Sequence, residues 1–182
     1  VFISALTTGP DQHEHELLEI AVLNAAGQTL LHTAVAPTKI HTAEPESLVK
    51  ANYSAGDWAP SPFSTTIAKQ IQVLLAGAIL VGHDTQFTMR FVHHLLKETL
   101  GTAEKVDTRF IDTVTLMWEQ LVPLGLTNLT LEDASFFLRL PFKPNHSALD
   151  DARAARVLYL KLLRAGPLQR LWWKWAAPKK DS

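Results

Sequence analysis

Hydrophobic residues in this chain come first in short runs and later in helical stripes. Val1–Leu6, Leu17–Asn24 and Thr29–Ala36 are apolar-rich runs of strand length, separated by Thr7-Thr8-Gly9-Pro10 and Ala25-Ala26-Gly27-Gln28. Short loops between three such runs predict an antiparallel meander. Pro37–Pro60 is irregular, with room for a short helix over Pro45–Asn52 because Pro suits a first helical position. Ile67, Ile71, Leu74 and Leu75 then recur at helical spacing, predicting a helix capped by Ser61, with Pro62 in its first turn, and closed at Gly77.

Ala78–Gly82 is apolar throughout and reads as an inner strand. His83 and Asp84 lead into a helix to about Leu100, with Phe87, Phe91, Leu95 and Leu96 inward. Val106–Asp112 brackets a fifth strand, Arg109-Phe110-Ile111-Asp112, and a helix follows from Thr113 to about Leu121. Thr130 begins another that runs to Arg139. The last main helix runs from about Ser147 to Leu163, where Ala152, Ala154 and Ala155 permit close packing and Gly166-Pro167 stops it. This order predicts an α/β fold, a mixed five-stranded sheet with helices on both faces.

A length of 182 residues suits one domain with a sizeable core. Apolar residues at 47% against 19% charged exclude a disordered chain. The balance of 17 basic and 18 acidic residues gives no global field for nucleic acid, so any such binding must be local. Zero cysteines exclude disulfides and thiolate metal sites and fit a cytoplasmic protein. No apolar run reaches the ~20 residues that span a bilayer, and no secretory signal is present. Because the sequence opens at Val1 already inside a strand-like run, it is expected to be part of a longer chain.

Chemistry concentrates in Asn145–Ala155, where His146 stands before Asp150 and Asp151 at the head of an Ala-rich helix. An imidazole takes a proton from water and a carboxylate holds a divalent ion. On those residues alone a plainer account stands beside it: His146 caps a loop, and the two acids suit a helix N-terminus. Four further stretches accompany this one. They are Phe2-Ile3-Ser4-Ala5-Leu6-Thr7-Thr8-Gly9, Glu19-Ile20-Ala21-Val22-Leu23, Val81-Gly82-His83-Asp84-Thr85-Gln86-Phe87-Thr88, and Phe110-Ile111-Asp112-Thr113. In this order, and with His146, Ala148 and Asp151 as an H-x-A-x-x-D motif, the chain resembles the DnaQ-like (DEDDh) 3′–5′ exonucleases over roughly Val1–Leu163. That resemblance implies a ribonuclease H-like fold.

It also implies a chemistry of four carboxylates holding two Mg²⁺ or Mn²⁺ ions, with a histidine activating water. Set on the family motifs, the first two carboxylate positions are Ser4 and Leu6, which share a sheet face as residues i and i+2. The third is Thr88. The fourth, Asp151, is present, as is the histidine, His146. Neutral oxygens are weak replacements around a hard dication, and Leu6 offers no ligand. The expected protein is therefore a catalytically degenerate exonuclease domain holding no metal or at most one at Asp151, with His146 and Asp151 as remnants. Asp84, Asp112, Asp150 and Glu19 are the acids open to a rebuilt site, although helix starts and strand ends also account for them.

Thr7, Thr8, Gly9, His83, Asp84 and Phe87 are the expected cleft contacts to a single-stranded 3′ end. Three functions follow: a nucleic-acid-binding or assembly module, an active exonuclease with a rearranged site using Mg²⁺ or Mn²⁺, or a protein-interaction module with an idle cleft. For the last, Leu168, Leu171, Trp172 and Trp175 form an apolar stripe in a segment, 167–182, set apart in composition from the domain at 1–166. That stripe suits docking on its own domain or on a protein partner.

Overall fold

The computed structural model describes residues 1–106, 109–141, 147–166, 168–169 and 172–173. His146 lies outside the described residues, as do Leu171 and Trp175.

Strands β1 (Phe2–Thr7), β2 (Leu17–Leu23) and β3 (Thr29–Ala34) form the expected meander, each antiparallel to the next. Strands β4 (Leu80–Gly82) and β5 (Phe110–Asp112) join it in parallel, giving the order β3-β2-β1-β4-β5. Strands β1, β2 and β4 are buried throughout, as the unbroken apolar run before Gly82 implies for β4. Gly82 is required for that pairing: a Cβ there would lie 2.7 Å from the Ile3 carbonyl oxygen.

The helices are α1 (Pro45–Lys50), α2 (Ala55–Trp58), α3 (Ser64–Leu75), α4 (Thr85–Leu100), α5 (Thr113–Gln120), α6 (Leu131–Leu138) and α7 (Ala148–Arg164). Alternation along β1 divides them between two faces. Ile3 and Ala5 join Ile20 and Val22 in a core with Ile71, Leu75, Phe91 and Leu96 of α3 and α4. Phe2 and Leu6 join Leu23, Ala51, Ala148 and Ala152 under α1 and α7. The alanines bring α7 close to the sheet. Its outer side, Ala155, Leu158 and Leu162, packs on Met117, Leu121, Phe137 and Leu138 of α5, α6 and the turn after α5.

Two expectations are corrected. The helix expected from Ser61 begins at Ser64, because Ala36 pairs with Phe63 and its amide donates to the Pro62 carbonyl at 3.0 Å, holding that stretch extended. The second concerns the apolar stripe of the C-terminal segment, of which only Leu168 and Trp172 are described. Leu168 and Trp172 are exposed, whereas Trp173, off that stripe, is buried against α5, α6 and α7.

Candidate active-site cleft

The mouth of the sheet opens at the C-terminal ends of β1, β4 and β5. A cleft of about 760 Å³ lies there, lined by Ser4 and Leu6 from β1, Thr88 from α4 and Asp151 from α7. The four positions read as ligand sites in the sequence therefore meet in one place. Leu6 also contributes to the apolar cluster beneath α1 and α7, and Ser4 and Thr88 are buried beside the cleft. His83, Asp84 and Phe87 line the same cleft, as expected.

The turn after β1 is arranged differently from expectation. Thr7 and Gly9 line an adjoining groove of about 230 Å³, together with Leu6, Lys50 and Phe87. Thr7 Oγ1 donates to the Gly9 carbonyl at 2.8 Å. Thr8 is fully buried and its hydroxyl accepts from the Glu16 amide at 2.9 Å, so it is a turn-closing residue and not a cleft contact.

The remaining acids separate by position. Asp84 and Asp112 line the cleft; Glu19 and Asp150 do not. Asp84 occupies the N-cap position of α4, but in the left-handed region at φ 54°, and its side chain makes no capping bond. Asp112 does that work instead. Its carboxylate accepts from the Thr85 amide at 2.6 Å, the Asp84 amide at 3.2 Å and the Val114 amide at 2.8 Å. One side chain thus satisfies donors at the starts of both α4 and α5. Glu19 is buried and accepts from His32 Nε2 at 2.7 Å and Ser147 Oγ at 3.0 Å. Ser147 in turn caps α7 at the Leu149 amide. Asp150 pairs with Arg153 at 3.4 Å on the surface.

His83 Nδ1 lies 3.0 Å from Thr113 Oγ1. Burial pushes the His83 pKa below its ordinary value, against the upward pull of Asp112 and Asp84 and with a smaller downward push from Lys50. The imidazole is consequently neutral near pH 7.

Two lining residues were not singled out from the sequence. Glu132 opens α6 within an acidic first turn, a signal that reads only as helix start. Lys50 ends α1 and lines both the cleft and the adjoining groove. Nothing in its local sequence announces this, since α1 reaches the cleft only through the tertiary fold.

Leu6 places an apolar side chain in the cleft, and the Asp112 carboxylate is taken up by three amides. Among the described residues, no group of three or more His, Cys, Asp or Glu side chains is placed to hold an ion.

The fold and this cleft define a nuclease-type ribonuclease H-like domain, and comparison with known proteins gives its family. The exonuclease family model (RNase_T) matches residues 7–159, and the chain belongs to this DnaQ-like exonuclease family. Its structure is similar to that of E. coli exonuclease I in complex with a dT13 oligonucleotide, with a TM-score of 0.72 and 13% identity over 94% of this chain. A zinc-bound E. coli exonuclease I–ssDNA complex aligns at TM-score 0.70 and 14% identity over 93% of the chain. Exonuclease I from Methylocaldum szegediense aligns at 0.67 and 15% over 92%. This chain spans only 42%, 42% and 40% of those three proteins. No curated protein is a significant sequence match. No described helix is long and apolar enough to cross a membrane.

Proposed function

We propose that this domain binds the 3′ end of single-stranded nucleic acid without hydrolysing it, as a degenerate exonuclease within a nucleic-acid-processing assembly. One observation carries the reading: Ser4, Leu6 and Thr88 line the same cleft as Asp151, at the positions where the family resemblance puts acids. Two dications bring four positive charges, and neutral oxygens with one carboxylate are a poor set for them. The oligonucleotide complexes of the structural neighbours support single-stranded nucleic acid as the ligand class. His146 and Asp151 are remnants of the family's machinery on this reading. The unit responsible is the domain at 1–166, and the absence of cysteines supports a cytoplasmic setting.

A second reading, an active exonuclease with a rearranged Mg²⁺ or Mn²⁺ site, draws support from Asp84, Glu132 and Asp151 along one cleft. Digestion of a 5′-labelled single strand in Mn²⁺ separates the two. The expected result is no trimming above background. Trimming that His146→Ala and Asp151→Ala both abolish would overturn the proposal in favour of the second reading. Exposed Leu168 and Trp172 beside buried Trp173 leave a surface for a protein partner in the C-terminal segment. A pull-down unchanged by Trp172→Ala and Leu168→Ala would remove that part of the proposal.

A further inference from the structure

Binding without metals poses an electrostatic difficulty that the cleft itself answers. Asp84, Asp112, Glu132 and Asp151 line it, and a phosphate entering would meet their charge. Asp112 is partly neutralised, because three amides at two helix N-termini point at it. Among the described lining residues one lysine and no arginine faces this set: Lys50.

The position of Lys50 is fixed by its neighbours. Leu48 and Ala51 pack into the core beneath α1, and the Glu44 amide donates to the Thr8 carbonyl at 2.8 Å, tying α1 to the turn after β1. Asn52, at φ 50°, turns the chain away immediately afterwards. The ammonium therefore projects from an anchored helix end onto the ridge that Leu6 and Phe87 also share, between cleft and groove. Its charge reaches His83 across the cleft. Lys50 is exposed and makes no hydrogen bond or ion pair among the described residues.

Resting on the binding role proposed above, we infer that Lys50 is the phosphate anchor of this cleft: its ammonium takes a phosphodiester of a single-stranded 3′ end, so binding is independent of divalent ions. Leu6 and Phe87 then supply apolar surface to the adjacent sugar and base, a task for which a leucine is better suited than a carboxylate. The loss of acids and the presence of Lys50 become one change of ligand chemistry, from ions that hold phosphate to a side chain that does.

The test is fluorescence anisotropy of a 3′-hydroxyl oligo(dT), with oligo(U) and a circular oligo(dT) as competitors, in EDTA at low salt. Wild type is compared with Lys50→Ala, Lys50→Arg and Lys69→Ala, the last removing an equal charge from the exposed side of α3. Lys50→Ala is expected to weaken binding roughly tenfold, as for loss of one charge-assisted hydrogen bond. Its salt dependence should flatten by about 0.7 in slope, one phosphate contact. Lys50→Arg should retain most of the affinity, and Lys69→Ala all of it. Equal affinities for Lys50→Ala and Lys69→Ala overturn the anchor while leaving the binding role intact, and so does wild-type binding that needs Mg²⁺ or Mn²⁺. Competition by the circle as strong as by the linear strand removes the 3′ end from the inference. Failure of wild type to bind either strand in EDTA or in Mg²⁺ sinks the binding role itself.

Discussion

The two walls of the cleft differ in charge. The wall from β1 and α1 carries Ser4, Leu6 and Lys50, with no carboxylate. The wall from the β4–α4 and β5–α5 junctions carries His83, Asp84 and Asp112. The difference follows from what the backbone demands. At Asp112 three helix-start amides need an acceptor, whichever ligand fills the cleft. At positions 4 and 6 the strand's own amides are engaged with β2, so an acid there has no structural task. Asp112 stands where the fold uses a carboxylate.

The sharpest way to break this comparison is Asp112→Ala. It leaves the Asp84, Thr85 and Val114 amides without their acceptor and is expected to lower stability by about 2–4 kcal/mol. A urea midpoint unchanged from wild type would show that the staple is idle. Next is the combined variant Ser4→Asp, Leu6→Glu, Thr88→Asp, which adds three acids to the cleft. Without metal it should be less stable than wild type, because like charges are buried together. Mn²⁺ at a hundredfold over its dissociation constant should then restore about 2.7 kcal/mol. A thermal melt of this variant indifferent to Mn²⁺ would mean that the four positions do not converge as described. Glu19→Gln, which weakens the tie from β2 to His32 and to the cap of α7, should lower stability by about 1 kcal/mol. Chemical denaturation measures it.

The smallest effect is in pH. His83 is held below its ordinary pKa by burial, with Asp112 and Asp84 opposing and Lys50 assisting. It binds fewer protons folded than unfolded, so its contribution is full above about pH 6.5 and is lost as pH falls below that value. His93, likewise lowered by burial and by Lys97, adds to the same trend. His83→Asn should flatten the wild-type loss of stability between neutral and mildly acidic pH without abolishing it. Parallel curves for the two proteins would remove His83 from the account.

Much of the fold was legible because it rests on local pattern. Apolar runs ending at Leu6, Asn24 and Ala36 announced the meander, and the stripe through Phe87, Phe91 and Leu95 announced α4. Ordered motifs brought Ser4, Leu6, Thr88 and Asp151 to one cleft before any coordinates did. What escaped depends on distant contacts. The strand-like hold of Ala36 on Pro62 and Phe63 moved the start of α3 past Ser61. Asp112, 27 residues from the Thr85 amide, caps a helix not its own, so Asp84 looked like the cap. Lys50 and Thr8 differ by which way their segments turn in three dimensions, one onto the cleft and one into the core.

Burial of Trp173 has a practical reach. The side chain joins the cluster of Met117, Leu121 and Leu158, and it belongs to a stretch that composition alone would assign to a tail. A fragment ending at Gly166 would expose that bed to water, inviting self-association and proteolytic nicking. Among the described residues, Trp173 seats seven residues past the break suggested by Gly166-Pro167.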